Sequence, residues 1–183
     1  MARKEKLTKT MGQLRTFLRK QGWAFIRDGD VFRGIASNDS LRWTWSAAEL
    51  GDGRFLGLSY GCTVDVPESR RAAAAEYITR ANYGLCFGAF EMAWETGAVY
   101  FRTSVPIDMA TGVAGDALEH LVYLGHCMMS RYMAGLLAVA IAGVNPAQAV
   151  ATAEQDRETA VGPLPVEPPA DLPQYGGRFT NAN

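Results

Sequence analysis

Residues 64–107 read VDVPESRRAAAAEYITRANYGLCFGAFEMAWETGAVYFRTSVPI, and this stretch decides the fold. Val66-Pro67-Glu68 is a helix start: proline suits the first helical position and glutamate the positive end of the helix dipole. The alanines from Ala72 to Ala75 carry the helix, and Ala74, Ile78 and Ala81 continue its apolar face. Ala81-Asn82-Tyr83-Gly84 ends it. Two apolar, aromatic strands follow, Leu85–Trp94 and Ala98–Pro106, turned at Glu95-Thr96-Gly97.

Upstream, Leu7, Met11, Leu14 and Leu18 recur at i, i+4, i+7 and i+11, one stripe of an amphipathic helix. Gly22 is its C′ residue. Val31–Ser37 and Leu41–Ala47 flank the polar turn Asn38-Asp39-Ser40. In the second of these, Leu41, Trp43, Trp45 and Ala47 alternate with Arg42, Thr44 and Ser46, giving one apolar and one wet face. Gly51-Asp52-Gly53 turns the chain into a third strand, Phe55–Val64. Downstream, a long helix is predicted from Val113 to Gly143, with Leu118, Leu121, Val122, Met128, Met129, Tyr132, Leu136 and Ala140 on its inner side. Asn145-Pro146 pairs an N-cap with an N1 residue and starts a short helix towards Gln155.

The order is α-β-β-β-α-β-β-α, an α+β fold with helices packed on an antiparallel five-stranded sheet. One domain over residues 1–158 accounts for it. Residues 159–183 form a proline-rich tail in which Pro163, Pro165, Pro168, Pro169 and Pro173 crowd with small and acidic residues, a composition that reads as extended or disordered.

The chain has 183 residues, 48% apolar and 20% charged, with a net charge of −1. That balance gives no overall field for nucleic acid. Charge is unevenly placed, because Arg3, Lys4, Lys6, Lys9, Arg15, Arg19 and Lys20 face only Glu5 in the first twenty residues. A basic helix of this kind offers contacts to phosphates or an anionic surface, the competing reading to a solvated face around an apolar stripe. Cys62, Cys86 and Cys127 lack CxxC spacing, and an odd number of thiols points to a reducing compartment. No secretory h-region follows the N-terminal charges, so the expected location is the cytoplasm.

Several patterns imitate catalytic sites. Gly57-Leu58-Ser59-Tyr60-Gly61 matches G-x-S-x-G, but a nucleophile elbow needs a turn between a parallel strand and a helix. Here the strand runs on through Cys62-Thr63-Val64, and His120 and His126 both fall on the long helix. His120 and Cys127 stand seven residues apart, about 10 Å by helical rise, too far to share one tetrahedral ion. Glu119, His120, His126 and Arg131 interrupt the apolar run of the long helix, which argues for a core helix rather than a membrane span. No catalytic residues, metal ligands or cofactor site are predicted.

Val64-Asp65-Val66-Pro67-Glu68-Ser69-Arg70-Arg71, Ala81-Asn82-Tyr83 and Leu85-Cys86-Phe87-Gly88-Ala89-Phe90-Glu91 together resemble the YbjN family of bacterial proteins. Val99-Tyr100-Phe101-Arg102 and Gly143-Val144-Asn145-Pro146-Ala147-Gln148-Ala149 extend the resemblance over about residues 5 to 157. Members are described as "putative sensory transduction regulators". The resemblance implies a fold like the class I chaperones of type III secretion, small and often homodimeric proteins that hold an extended partner segment. It brings no catalytic residues. The expected function is a non-enzymatic protein-binding module, a chaperone-like or regulatory adaptor using apolar surface and a strand edge. Its candidate contact residues are Trp43, Trp45, Phe87, Phe90, Trp94 and Tyr100, about half of which belong to the core of a sheet covered on one face. The expected partners are a protein of unknown identity and a second copy of the chain. The alternative is a nucleic-acid or anionic-surface binder using the basic first helix.

Overall fold

A computed structural model describes residues 7–155. The basic residues Arg3, Lys4 and Lys6 and the whole proline-rich tail lie outside the described residues.

Helix α1, Lys9–Lys20, starts where the Thr8 hydroxyl accepts from the Met11 amide at 3.2 Å. Such a cap satisfies one of the amides that a helix start leaves unpaired. Met11, Leu14 and Leu18 are buried, as their spacing predicts, and Leu7 packs beside them. The sheet has six strands rather than five: β1 (Ile26–Asp28), β2 (Val31–Ser37), β3 (Arg42–Leu50), β4 (Phe55–Cys62), β5 (Ala89–Met92) and β6 (Val99–Pro106). They run antiparallel in the order β1-β2-β3-β4-β6-β5. The unforeseen strand, β1, turns into β2 at Gly29-Asp30, with Asp28 opposite Val31. All three of its residues are exposed, so no alternation marks it in the sequence.

The predicted strand Leu85–Trp94 shrinks to Ala89–Met92, and residues 83–88 form a loop instead. A 3-10 turn, Glu68–Arg70, leads into α2, Arg71–Asn82. The long helix divides into α3, Gly115–Leu137, and a π turn, Ala138–Ala142. Arg70 caps that turn, donating from Nε (3.1 Å) and Nη2 (2.8 Å) to the Val139 carbonyl. Helix α4, Pro146–Gln155, begins as read: the Asn145 side chain accepts from the Ala147 and Gln148 amides.

α3 lies against the sheet beside β4 and β6, while α2 and α4 pack on one another and on α3. Two tyrosines fasten α3. The Tyr60 hydroxyl, from β4, donates to the Val122 carbonyl at 2.7 Å, and the Tyr77 hydroxyl, from α2, donates to the Tyr132 carbonyl at 2.7 Å. Each ring crosses the helix at a glycine three residues further on. A Cβ on Gly125 would stand 1.9 Å from the Tyr60 ring, and one on Gly135 would stand 2.5 Å from the Tyr77 oxygen. Only glycine allows so close an approach. The stretch Gly115–Ala142 is long and apolar enough to cross a membrane by length and composition. Its buried side is held here by these contacts with the sheet and α2.

Candidate protein-binding surface

Side-chain alternation decides which aromatics face the helices. Trp43, Trp45, Phe90 and Phe101 point inward and are buried, with Phe90 packed edge-on against Phe101 and Tyr132. Three candidate contact residues, Trp43, Trp45 and Phe90, are therefore core and offer no surface to a partner. Tyr100 is half-buried on the opposite face of the sheet, where the Arg102 guanidinium lies 5.4 Å from its ring centre. Arg102 also pairs with Glu91 at 3.3 Å.

Two of the candidates are exposed. Phe87 is 63% exposed in the loop between α2 and β5, and Trp94 is 56% exposed in the turn between β5 and β6. Tyr83, which sequence reasoning left out, shares the loop with Phe87 and is 90% exposed. One residue builds this loop. The Asn82 side chain donates from Nδ2 to the Phe90 carbonyl at 2.9 Å and accepts from the Phe90 amide at 2.8 Å. The amide thus imitates a neighbouring strand and ties the two ends of the loop together. Gly84 (φ 87°) and Gly88 (φ 72°) supply left-handed turns that other residues rarely adopt. Phe87 leans edge-on against the His120 ring of α3, with 5.8 Å between centres. The Asn82-to-Gly88 spacing was visible in the sequence, but nothing there showed that the asparagine reaches the strand.

The same bond affects the sheet edge. In an antiparallel strand, alternate residues direct both backbone groups towards the neighbour or away from it. On the edge strand β5, Phe90 directs its pair away from β6, and Asn82 occupies both. A four-residue edge blunted in this way is a poor template for an added strand.

Ser59 is 7% exposed in mid-strand, facing Ser46 and Arg102. It points to the sheet face opposite Tyr60, whereas His126 lies on the helical side, 5.0 Å from the Trp43 ring. The sheet separates the two, so they cannot form a nucleophile–base pair. Burial lowers the His126 pKa to about 4. Its Nδ1, like the indole nitrogens of Trp23, Trp43 and Trp45, has no hydrogen-bond partner among the described residues. Burial also raises the Cys62 and Cys127 thiols. Among the described residues, no three His, Cys, Asp or Glu side chains converge as metal ligands do.

A family model described as "YbjN: Putative bacterial sensory transduction regulator" matches residues 10–138. No curated protein matches the sequence. The crystal structure of YbjN from E. coli, described as "a putative transcription regulator", is similar with a TM-score of 0.49 and 13% identity, over 75% of this chain and 95% of that one. The family match runs from the second residue of α1 to the start of the π turn, well over half of the sequence, and this chain belongs to the YbjN family.

Proposed function

We propose that this protein is a non-enzymatic regulatory adaptor that docks a segment of a partner protein on the aromatic loop 83–88. One observation carries this reading: Tyr83 and Phe87 stand exposed on a short loop whose ends Asn82 holds together. Large aromatics in water are costly unless a partner covers them, and each contributes about 1.5–3 kcal/mol when buried. A loop already held in shape loses little entropy on binding. Side-chain docking on the loop fits better than strand addition, because β5 has one of its outward residues occupied. The sequence resemblance, which implies a fold like that of chaperones that hold an extended segment, supports the same reading, and a second copy of the chain is a further candidate partner.

The test compares proteins retained from the source cell by the native chain and by Tyr83→Ala/Phe87→Ala. A specific partner held by the first and lost by the second, at equal thermal stability, supports the reading. Equal retention by both removes the loop from it.

A further inference from the structure

A second surface lies across α3 from the aromatic loop. Leu118 and His120 are two positions apart, about 200° around the helix, so the flank bearing Leu118 faces away from Phe87. There α1 and the start of α3 enclose an open groove of about 530 Å³, lined by Lys9, Gln13, Phe17, Val113, Gly115 and Leu118. Its lip is built. Asp108 accepts from the Ala110 and Thr111 amides and from the Thr111 hydroxyl. Lys9 and Gln13 then tie residues 110 to 113 to α1. The floor is apolar; Lys9 is its one charged lining residue, and Lys20 lies beyond it on the same α1 face, at i+4 from Thr16. The nearby Asp116 carboxylate turns to its own backbone, accepting from the Ala117 amide at 2.9 Å.

We propose that this groove holds residues 163–173 of the same chain, PLPVEPPADLP. Three observations converge on that occupant. The first is chemistry. Proline at this density favours the polyproline II form, which docks in aromatic-lined apolar grooves at low entropic cost. The segment brings Leu164, Val166 and Leu172 for the floor.

The second is charge. Glu167 and Asp171 are its only ionised side chains, and α1 carries Lys9 at the groove and Lys20 beyond it on the same face. In polyproline II, four residues span about 12 Å. Lys9 and Lys20 are about 16 Å apart along α1. The aromatic loop is the poorer site for such a segment, because Arg80 and Arg102 on the elements around it already pair with Glu76 and Glu91.

The third is reach. The last turn of α4 is bonded to the middle of α3, where Arg131 Nε donates to the Ala153 carbonyl and the Tyr132 hydroxyl to Glu154. From Arg131 to Leu118 is about 20 Å of helix. Residues 156–162 extend to about 23 Å, so Pro163 can arrive at the groove.

The experiment uses the full chain. A nitroxide is attached at Ala170→Cys in a Cys86→Ser background, since Cys86 is the exposed thiol. The Gly12, Val113 and Gly115 amide signals should lose more than half their intensity, while those of Tyr83 and Gly84 keep theirs. Adding Glu167→Lys/Asp171→Lys should restore most of the loss. Groove signals equal to the diamagnetic control overturn the proposal, as does broadening centred on Tyr83 to Phe87. A mixture of isotope-labelled chains with separately spin-labelled ones gives the last arm: broadening there assigns the groove to a second copy instead.

Discussion

The Tyr60 hydroxyl donates to the Val122 carbonyl at 2.7 Å, and its ring reaches that oxygen across Gly125. Helix propensity alone favours Gly125→Ala by about 1 kcal/mol. The new methyl, however, would overlap a ring with no exposed surface. Overpacking of this kind costs about 1–3 kcal/mol, so the expected result is net destabilisation, read as a lower urea midpoint. Tyr60→Phe removes only the hydrogen bond and should cost about 1 kcal/mol. A stabilised Gly125→Ala variant would contradict the packing described.

His126 sets a pH dependence. Its folded pKa, about 4, lies below the ordinary 6.5 because burial penalises the charged ring. Between those values the unfolded chain binds the extra proton, so the contribution is complete above pH 6.5 and is lost as pH falls towards 4. Thermal midpoints should drop across this window, and the drop should be smaller in His126→Phe if that variant folds. An identical slope in both proteins would remove His126 as the cause.

Asn82→Ala removes two hydrogen bonds that close the aromatic loop and leaves the Phe90 amide and carbonyl without their partner. The expected cost is about 1–3 kcal/mol. Hydrogen exchange should show faster exchange at Phe90 and in loop 83–88, with the β3 and β4 amides protected once the change in global stability is subtracted. Uniform loss of protection would mean that the clamp supports the whole domain rather than the loop.

Ser59→Ala is expected to leave fold and partner binding unchanged and to shift stability by no more than about 0.5 kcal/mol. Any ester hydrolysis by the native chain that disappears in this variant would overturn the adaptor reading.

Dimerisation through apolar surface predicts a light-scattering mass near twice the 19.9 kDa of one chain, reduced towards one chain by Phe87→Asp. A single-chain mass at micromolar concentration leaves the aromatic loop to a different protein.

Elements with two independent signals were legible in the sequence. Leu41–Ala47 combines alternation with flanking turns and occurs as Arg42–Leu50. Asn145-Pro146 joins a cap to a helix start, and both are present. β1 escaped because three exposed residues carry no periodic signal. Leu85 to Gly88 read as strand because an aromatic loop has the composition of a strand. Asn82, reaching eight residues ahead, and the left-handed turns at Gly84 and Gly88 make it a loop. Which aromatics are buried depended on which sheet face the helices cover. Alternation put Trp43 and Trp45 on one side, but choosing Phe90 over Phe87 required the pairing of Phe90 with Phe101. Tyr83 is adjacent to the residue that displays it, and no pattern in the sequence marks it.

The two glycine crossings on α3 lie ten residues apart, about 80° short of three full turns. One tyrosine comes from the sheet and the other from α2, so the pins lie along different directions. A helix pinned twice on one line could still roll about it. Pinned off-line, α3 can neither roll nor slide without breaking a buried bond. The groove at Leu118 and the aromatic loop at His120 therefore flank a fixed spar. If both surfaces load as proposed, loading one side would transmit no rotation to the other, and the two would act as independent ports.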